Sequence, residues 1–242
     1  MNAPLYNTLA ARAAAGTLRM HMPGHKGKLA APELLGAAEI DFTELDGTGD
    51  LYTGAGPIAG AEALAASAWG AGRCFFLTGG STQGVRAALA LCARPGDTVL
   101  LDRGSHRSFF TGMALLGLEP EYISRPSGES VAAALDIHNN IKTVCVTSPT
   151  YYGRVLDVGE IAAACRARGA RLFVDEAHGA HFPFVGMGAC AQGKGADVSV
   201  TSAHKTLPAL GGAALLFTSG SFRRRRRGRG PRCSAPPARP TR

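Results

Sequence analysis

No run of about 18 apolar residues occurs in this 242-residue sequence, so no membrane-spanning helix is expected. No Cys-x-x-Cys pair occurs among its six cysteines, Cys74, Cys92, Cys145, Cys165, Cys190 and Cys233. Zinc ligation, a metal site and a disulfide framework are therefore not expected. Most of these cysteines sit in apolar runs such as Leu91-Cys92-Ala93 and Val144-Cys145-Val146, and are read as reduced, buried thiols of a cytoplasmic protein. Met1 to Tyr6 lacks a basic segment followed by an apolar stretch, so no secretory signal is expected. Acidic residues are missing from 223–242, which hold nine arginines. Without those arginines the basic count falls to 26 − 9 = 17 against 18 acids, so the net charge of +8 belongs to the tail. A uniformly basic surface for nucleic acid is therefore not supported for the body.

What is present alternates between strand and helix. Residues 1–60 are punctuated by glycine and proline, and Met20 to Gly27 is too turn-rich for a regular element. A helix is predicted over 61–71. Strands are then predicted at 74–77, 98–101, 121–123, 143–147, 171–174, 197–201 and 213–217. Helices are predicted between them near 82–93, 107–117, 131–135 and 158–168. The strands are short and read as apolar on both faces. That pattern predicts a three-layer α/β/α architecture with a mostly parallel central sheet. The division is an N-terminal segment over 1–60, a major domain over 61–218, and a disordered Arg/Pro-rich tail over 219–242. The tail reads either as a polyanion-binding arm or as the product of an out-of-frame or truncated reading.

In a parallel sheet, ligands bind beyond the carboxyl ends of the strands. Ser81, His106, Ser148, Asp175 and Lys205 all follow predicted strands. Asp175 ends an apolar run, Leu172-Phe173-Val174, where an unpaired carboxylate is costly. Lys205 lies thirty positions later (205 − 175 = 30) in a small, hydroxyl-rich loop, Ser202-Ala203-His204-Lys205-Thr206. An acid at a strand end and a lysine on a nearby loop suit pyridoxal 5'-phosphate (PLP). The acid keeps the pyridine nitrogen protonated, and the lysine holds the aldehyde as a Schiff base. Partial burial and a cationic neighbour are expected to help Lys205 give up its proton. The alternatives are a buried salt bridge or a cap for Asp175, and a surface lysine for Lys205.

The other candidates are weaker one by one. Ser81 and Thr82, at a predicted helix start, suit a phosphate or an ordinary N-cap, and no Gly-Lys-Ser/Thr follows as in a P-loop. His106 suits stacking on a pyridine ring or capping. Ala177 is small enough to let a ring approach, and His178 is placed to reach a cofactor or substrate group. Ser202 and His204 flank the lysine and suit phosphate. His181 reads as structural.

Together, His21-Met22-Pro23-Gly24-His25-Lys26, Gly80-Ser81-Thr82, Thr147 to Gly153, Val174 to Phe182 and Ser202 to Leu207 resemble the major domain of the Orn/Lys/Arg decarboxylases. These are fold-type-I PLP enzymes. The resemblance runs from about 17 to 218. It implies that Lys205 carries the cofactor, Asp175 pairs with its pyridine nitrogen, and Ser81, Thr82, Ser202 and His204 hold its phosphate. His106 would stack on the ring, with Thr150 and His178 nearby. The Met-Pro-Gly-His-Lys segment would lie near the site entrance. The implied reaction is decarboxylation of arginine, lysine or ornithine to its amine. The alternatives are another fold-type-I activity, an aminotransferase or carbon–sulfur lyase, or an inactive remnant. Such enzymes continue into a smaller C-terminal domain and are at least homodimers. The resemblance stops near Phe217, so a truncated chain is expected, keeping the cofactor cradle without the substrate-binding and dimer-forming parts.

Overall fold

The computed structural model describes residues 3–21, 26–28, 32–186 and 190–222. Of the sequence expectations, Met22 to His25, Cys233 and the arginines from 223 onward lie outside the described residues. Helices α1 (Pro4–Ala14), α2 (Pro32–Glu39) and α3 (Gly56–Ala68) precede the first strand. Alternation then begins with β1 (Arg73–Leu77), α4 (Gly80–Cys92), β2 (Thr98–Asp102), α5 (Arg107–Leu116) and β3 (Glu119–Ile123). It continues through α6 (Gly128–Ile137), β4 (Thr143–Thr147), α7 (Val158–Ala167) and β5 (Arg171–Asp175). A 3-10 turn at Phe182–Phe184 leads to β6 (Val198–Thr201), the single turn α8 (Ala203–Thr206) and β7 (Ala214–Thr218).

The seven strands form one sheet in the order β1-β7-β6-β5-β4-β2-β3. The pairs β2–β3, β2–β4, β4–β5 and β5–β6 are parallel, and β7 runs antiparallel to both β6 and β1. Six strands therefore point one way, and their carboxyl ends share one edge.

Alternating side chains build two cores. Leu100, Val144, Val146, Leu172 and Val174 face Val131 and Leu135 of α6 and Ile161 and Cys165 of α7. Val99, Leu101, Cys145, Phe173 and Val200 face Val85 and Leu89 of α4 and Phe109 and Met113 of α5. The period of two along each strand makes both faces apolar. Each fully buried Leu, Val or Phe contributes about 1.5–3 kcal/mol of transfer free energy. The three-layer expectation holds. Two strands depart from the pattern of two apolar faces: β6 turns Ser199 and Thr201 to one face, and the edge strand β3 carries Glu119, Pro120 and Glu121. An outer strand tolerates the proline because one side of its ladder is unpaired.

Local chemistry sets the ends. His106 caps α5, Ser127 and Ser130 form a reciprocal capping box on α6, and Asp157 caps α7. Gly117 ends α5 in the left-handed conformation, at φ 63°. Two helices were not anticipated, α1 and α2, in the segment read only as turn-rich. The five described cysteines are free and buried, in line with the expectation of reduced thiols. No described helix is long and apolar enough to cross a membrane.

Candidate active site

Ser81, His106, Ser148 and Lys205 follow β1, β2, β4 and β6, and Asp175 ends β5; these strands are mutually parallel, so all five residues reach the same sheet edge. Asp175 sits on β5, in the middle of the strand order. It pairs in register with Thr147, whose hydroxyl lies 3.5 Å from Ser105 Oγ, in the loop that carries His106.

Asp175 is 3% exposed. Its Oδ1 accepts the Ala177 N–H at 3.1 Å, and no described cation forms an ion pair with it. Burial pushes its pKa up to about 6, against the opposing pull of the Ala177 N–H and the Lys205 charge. The salt-bridge alternative for this carboxylate is therefore not what the structure contains. Lys205 Nζ lies 3.0 Å from His178 Nε2. The lysine charge also depresses the His178 pKa, after desolvation, and contributes to the lowering at His106 after desolvation and ahead of Arg107. Lys205 thus sits within electrostatic reach of Asp175, His178 and His106.

Two expectations about Lys205 need correction. It lies in the helical turn α8, not a loop, and it is exposed, not partly buried. The reason is its place on a single turn at the open carboxyl edge of the sheet.

A second group of polar atoms meets this edge from α4. The antiparallel β1–β7 ladder pairs Leu77 with Ala214. That register brings the start of α4 against the loop that follows Lys205. Gly80 N–H donates to Gly212 O at 2.9 Å, and His204 Nδ1 lies 2.9 Å from Ala213 O. Neither Ser81 nor Thr82 is the N-cap. Gly79 holds that position, and Gln83 Oε1 accepts its N–H at 2.8 Å. The Ser81 and Thr82 hydroxyls are left without a partner among the described residues. Ser202 Oγ is fully buried and has no hydrogen-bond partner among the described residues.

Thr150 Oγ1 accepts the Arg154 N–H at 3.1 Å and closes the 150–154 turn. Tyr151, from that turn, packs edge-on against His178, with ring centroids 5.9 Å apart. His106 Nδ1 accepts the Ser108 N–H at 3.2 Å, so this imidazole does cap its helix. Ala177 is buried beside Asp175. His181 packs on Phe182, and its Nδ1 is buried without a partner. Sequence reasoning assigned no role to Glu176 or Tyr151. Both stand inside quoted motifs, yet their surroundings depend on chain folded back from elsewhere. No described group of His, Cys, Asp and Glu could hold a metal ion.

These residues fit PLP. A buried carboxylate without a cationic partner suits a pyridinium nitrogen. An orphaned Ser202 hydroxyl and the uncommitted hydroxyls of Ser81 and Thr82, at a helix N-terminus, suit a phosphate. An exposed lysine with a proton acceptor 3.0 Å away suits an aldehyde.

The profile of the Orn/Lys/Arg decarboxylase major domain matches residues 3–227. The chain belongs to this family. The match starts earlier than the motifs indicated, because α1 is part of it, and it ends later. Among curated relatives, the "Uncharacterized protein YaaO" of Bacillus subtilis is 36% identical over 92% of this chain and 50% of its own length. An arginine decarboxylase of Halalkalibacterium halodurans is 31% identical over 87% of this chain and 46% of its own length. This Orn/Lys/Arg decarboxylase family member therefore spans about half the length of these relatives. The solved lysine decarboxylase LdcF of Francisella novicida shares the fold, with a TM-score of 0.77, 18% identity, and coverage of 91% of this chain and 36% of that one.

Proposed function

We propose that this chain carries the cofactor-binding half of a cytoplasmic, PLP-dependent decarboxylase that converts a basic amino acid, arginine, lysine or ornithine, to its amine. The observation that carries the reading is the meeting of a buried, unpaired Asp175 with the Lys205–His178 contact at one edge of the sheet. Family membership supports the choice of reaction.

Bound PLP supplies an aldehyde for an amine to condense with, and a pyridinium that draws in the electron pair left behind by CO₂. Asp175 Oδ holds the proton on the pyridine nitrogen. Its burial strengthens that attraction, because little water competes. Ser81, Thr82, Ser202 and His204 anchor the phosphate. His106 would lie against the ring, and Ala177 leaves room beside Asp175. Lys205 would hold the cofactor through its aldehyde. His178 Nε2 accepts the proton that Lys205 must lose first, and Thr150 closes the neighbouring turn. A homodimer, as the family resemblance implies, would complete the substrate pocket.

The test adds PLP to the full chain and reads the absorbance of protein-bound cofactor, followed by borohydride trapping and peptide mass at Lys205. A band lost in Lys205→Ala supports the reading, and no band at saturating PLP refutes it. Any turnover of arginine, lysine or ornithine should release CO₂ and form no keto acid. Keto-acid formation would point instead to an aminotransferase.

A further inference from the structure

Glu176 is a buried acid that the proposed chemistry does not use. It follows Asp175 at the end of β5, so strand alternation sends its side chain to the opposite face. There Oε1 accepts the Ala191 N–H at 2.9 Å, while Oε2 is buried with no hydrogen-bond partner among the described residues. The backbone of Glu176 is equally committed. Its N–H donates to Val200 O at 2.8 Å, and its carbonyl accepts the Gly179 N–H at 2.8 Å and the Thr201 hydroxyl at 2.9 Å. The turn from 176 to 179 closes directly over this side chain. A Cβ at Gly179 would fall 2.6 Å from Glu176 Cγ and 3.0 Å from Pro149 Cδ. Within that turn lies His178, with Nε2 3.0 Å from Lys205 Nζ.

We propose that Glu176 is a positioning residue: its side chain fastens the 176–179 turn to the 190–192 segment and so holds His178 against Lys205. This rests on the reading of Lys205 and His178 as a working pair. Glu176 does this as an uncharged acid. Burial raises its pKa to about 8, reinforced by the Asp175 charge and opposed by the Ala191 N–H and Lys194. The Cys190 thiol is also in electrostatic reach of Glu176. Oε1 needs only to accept, so a neutral amide of the same shape does the same work.

The experiment uses the full chain without cofactor. It follows the His178 imidazole by ¹⁵N NMR, assigned with His178→Ala, and thermal unfolding from pH 5 to 9. In the wild type and Glu176→Gln, the His178 titration midpoint should stay below the ordinary histidine value. In Glu176→Ala it should rise toward that value as His178 leaves Lys205, and Gly179→Ala, which presses on the same turn, should do likewise if Glu176→Ala does not fold. Glu176 is neutral in the fold and ionised in the unfolded chain above pH ~4.5. Wild-type Tm should therefore fall below that of Glu176→Gln as pH rises toward 8. An unmoved midpoint in both disruptive variants overturns the positioning role. A difference in Tm that ignores pH overturns the uncharged acid. Failure of PLP to bind, with these results intact, would refute the cofactor reading and leave the role of Glu176 standing.

Discussion

Lys205 Nζ and His178 Nε2 lie 3.0 Å apart although 27 residues separate them in the chain. The contact exists because β5 and β6 are adjacent and parallel, with Asp175 opposite Val200. The turn after one strand and the helical turn after the next then face each other across the sheet edge. An imidazole in this place is a proton acceptor for the lysine, and burial, helped by the lysine charge, lowers its pKa and favours the neutral ring.

His178→Ala should slow capture of PLP by roughly ten- to a hundred-fold, at the low end of general-base effects. Stopped-flow absorbance reads the rate. In the wild type the rate should fall as pH drops, with a midpoint below the ordinary histidine value of 6.5, since the folded pKa is lowered.

Asp175→Asn should have opposite effects on the empty and the loaded chain. The Asp175 pKa is raised from 3.8 to about 6, so the stability tied to its neutral form is complete below 3.8 and lost as pH rises through 6. The amide removes that loss, stabilising the cofactor-free chain at neutral pH by on the order of 2–3 kcal/mol, read by urea unfolding. PLP affinity should fall by at least ten-fold, because the pyridinium partner is gone.

Ser202→Ala separates a structural hydroxyl from a binding one. Its Oγ is buried without a partner, so removing it should leave the empty chain unchanged or more stable by up to about 1 kcal/mol. Affinity for PLP should drop about five- to ten-fold, measured by equilibrium titration. Equal losses with pyridoxal, which lacks the phosphate, would argue against a phosphate role.

Gly84→Ala should disturb the start of α4. A Cβ there would fall 2.7 Å from Leu77 Cδ1 and 2.8 Å from Val200 Cγ1. The helix must shift off the sheet, at a cost of about 1–3 kcal/mol. Because Ser81 and Thr82 ride on that turn, PLP affinity should weaken as well.

Much of this was legible in the chain. The apolar runs at 98–101, 143–147 and 171–174 are strands because β-branched and leucine side chains are buried on both faces there. Residues after those strands mark the site edge whatever the strand order. The start of α4 was misplaced by two residues, because Gly79 and Gln83 form the cap in place of the hydroxyl residues. Helices α1 and α2 were missed, since short alanine-containing segments opened by proline carry little periodic signal.

By itself the sequence determined the layer pattern, the acid–lysine pair, and the kinship those motifs express, because each rests on residue type and near-neighbour order. Only the tertiary structure decided that Lys205 is exposed and touches His178, that Asp175 has no ionic partner among the described residues, and that Glu176 is locked under the turn beside them. Those facts depend on which strands lie side by side. Local propensity does not encode the β1–β7 antiparallel pairing or the return of residues 190–192 to the end of β5.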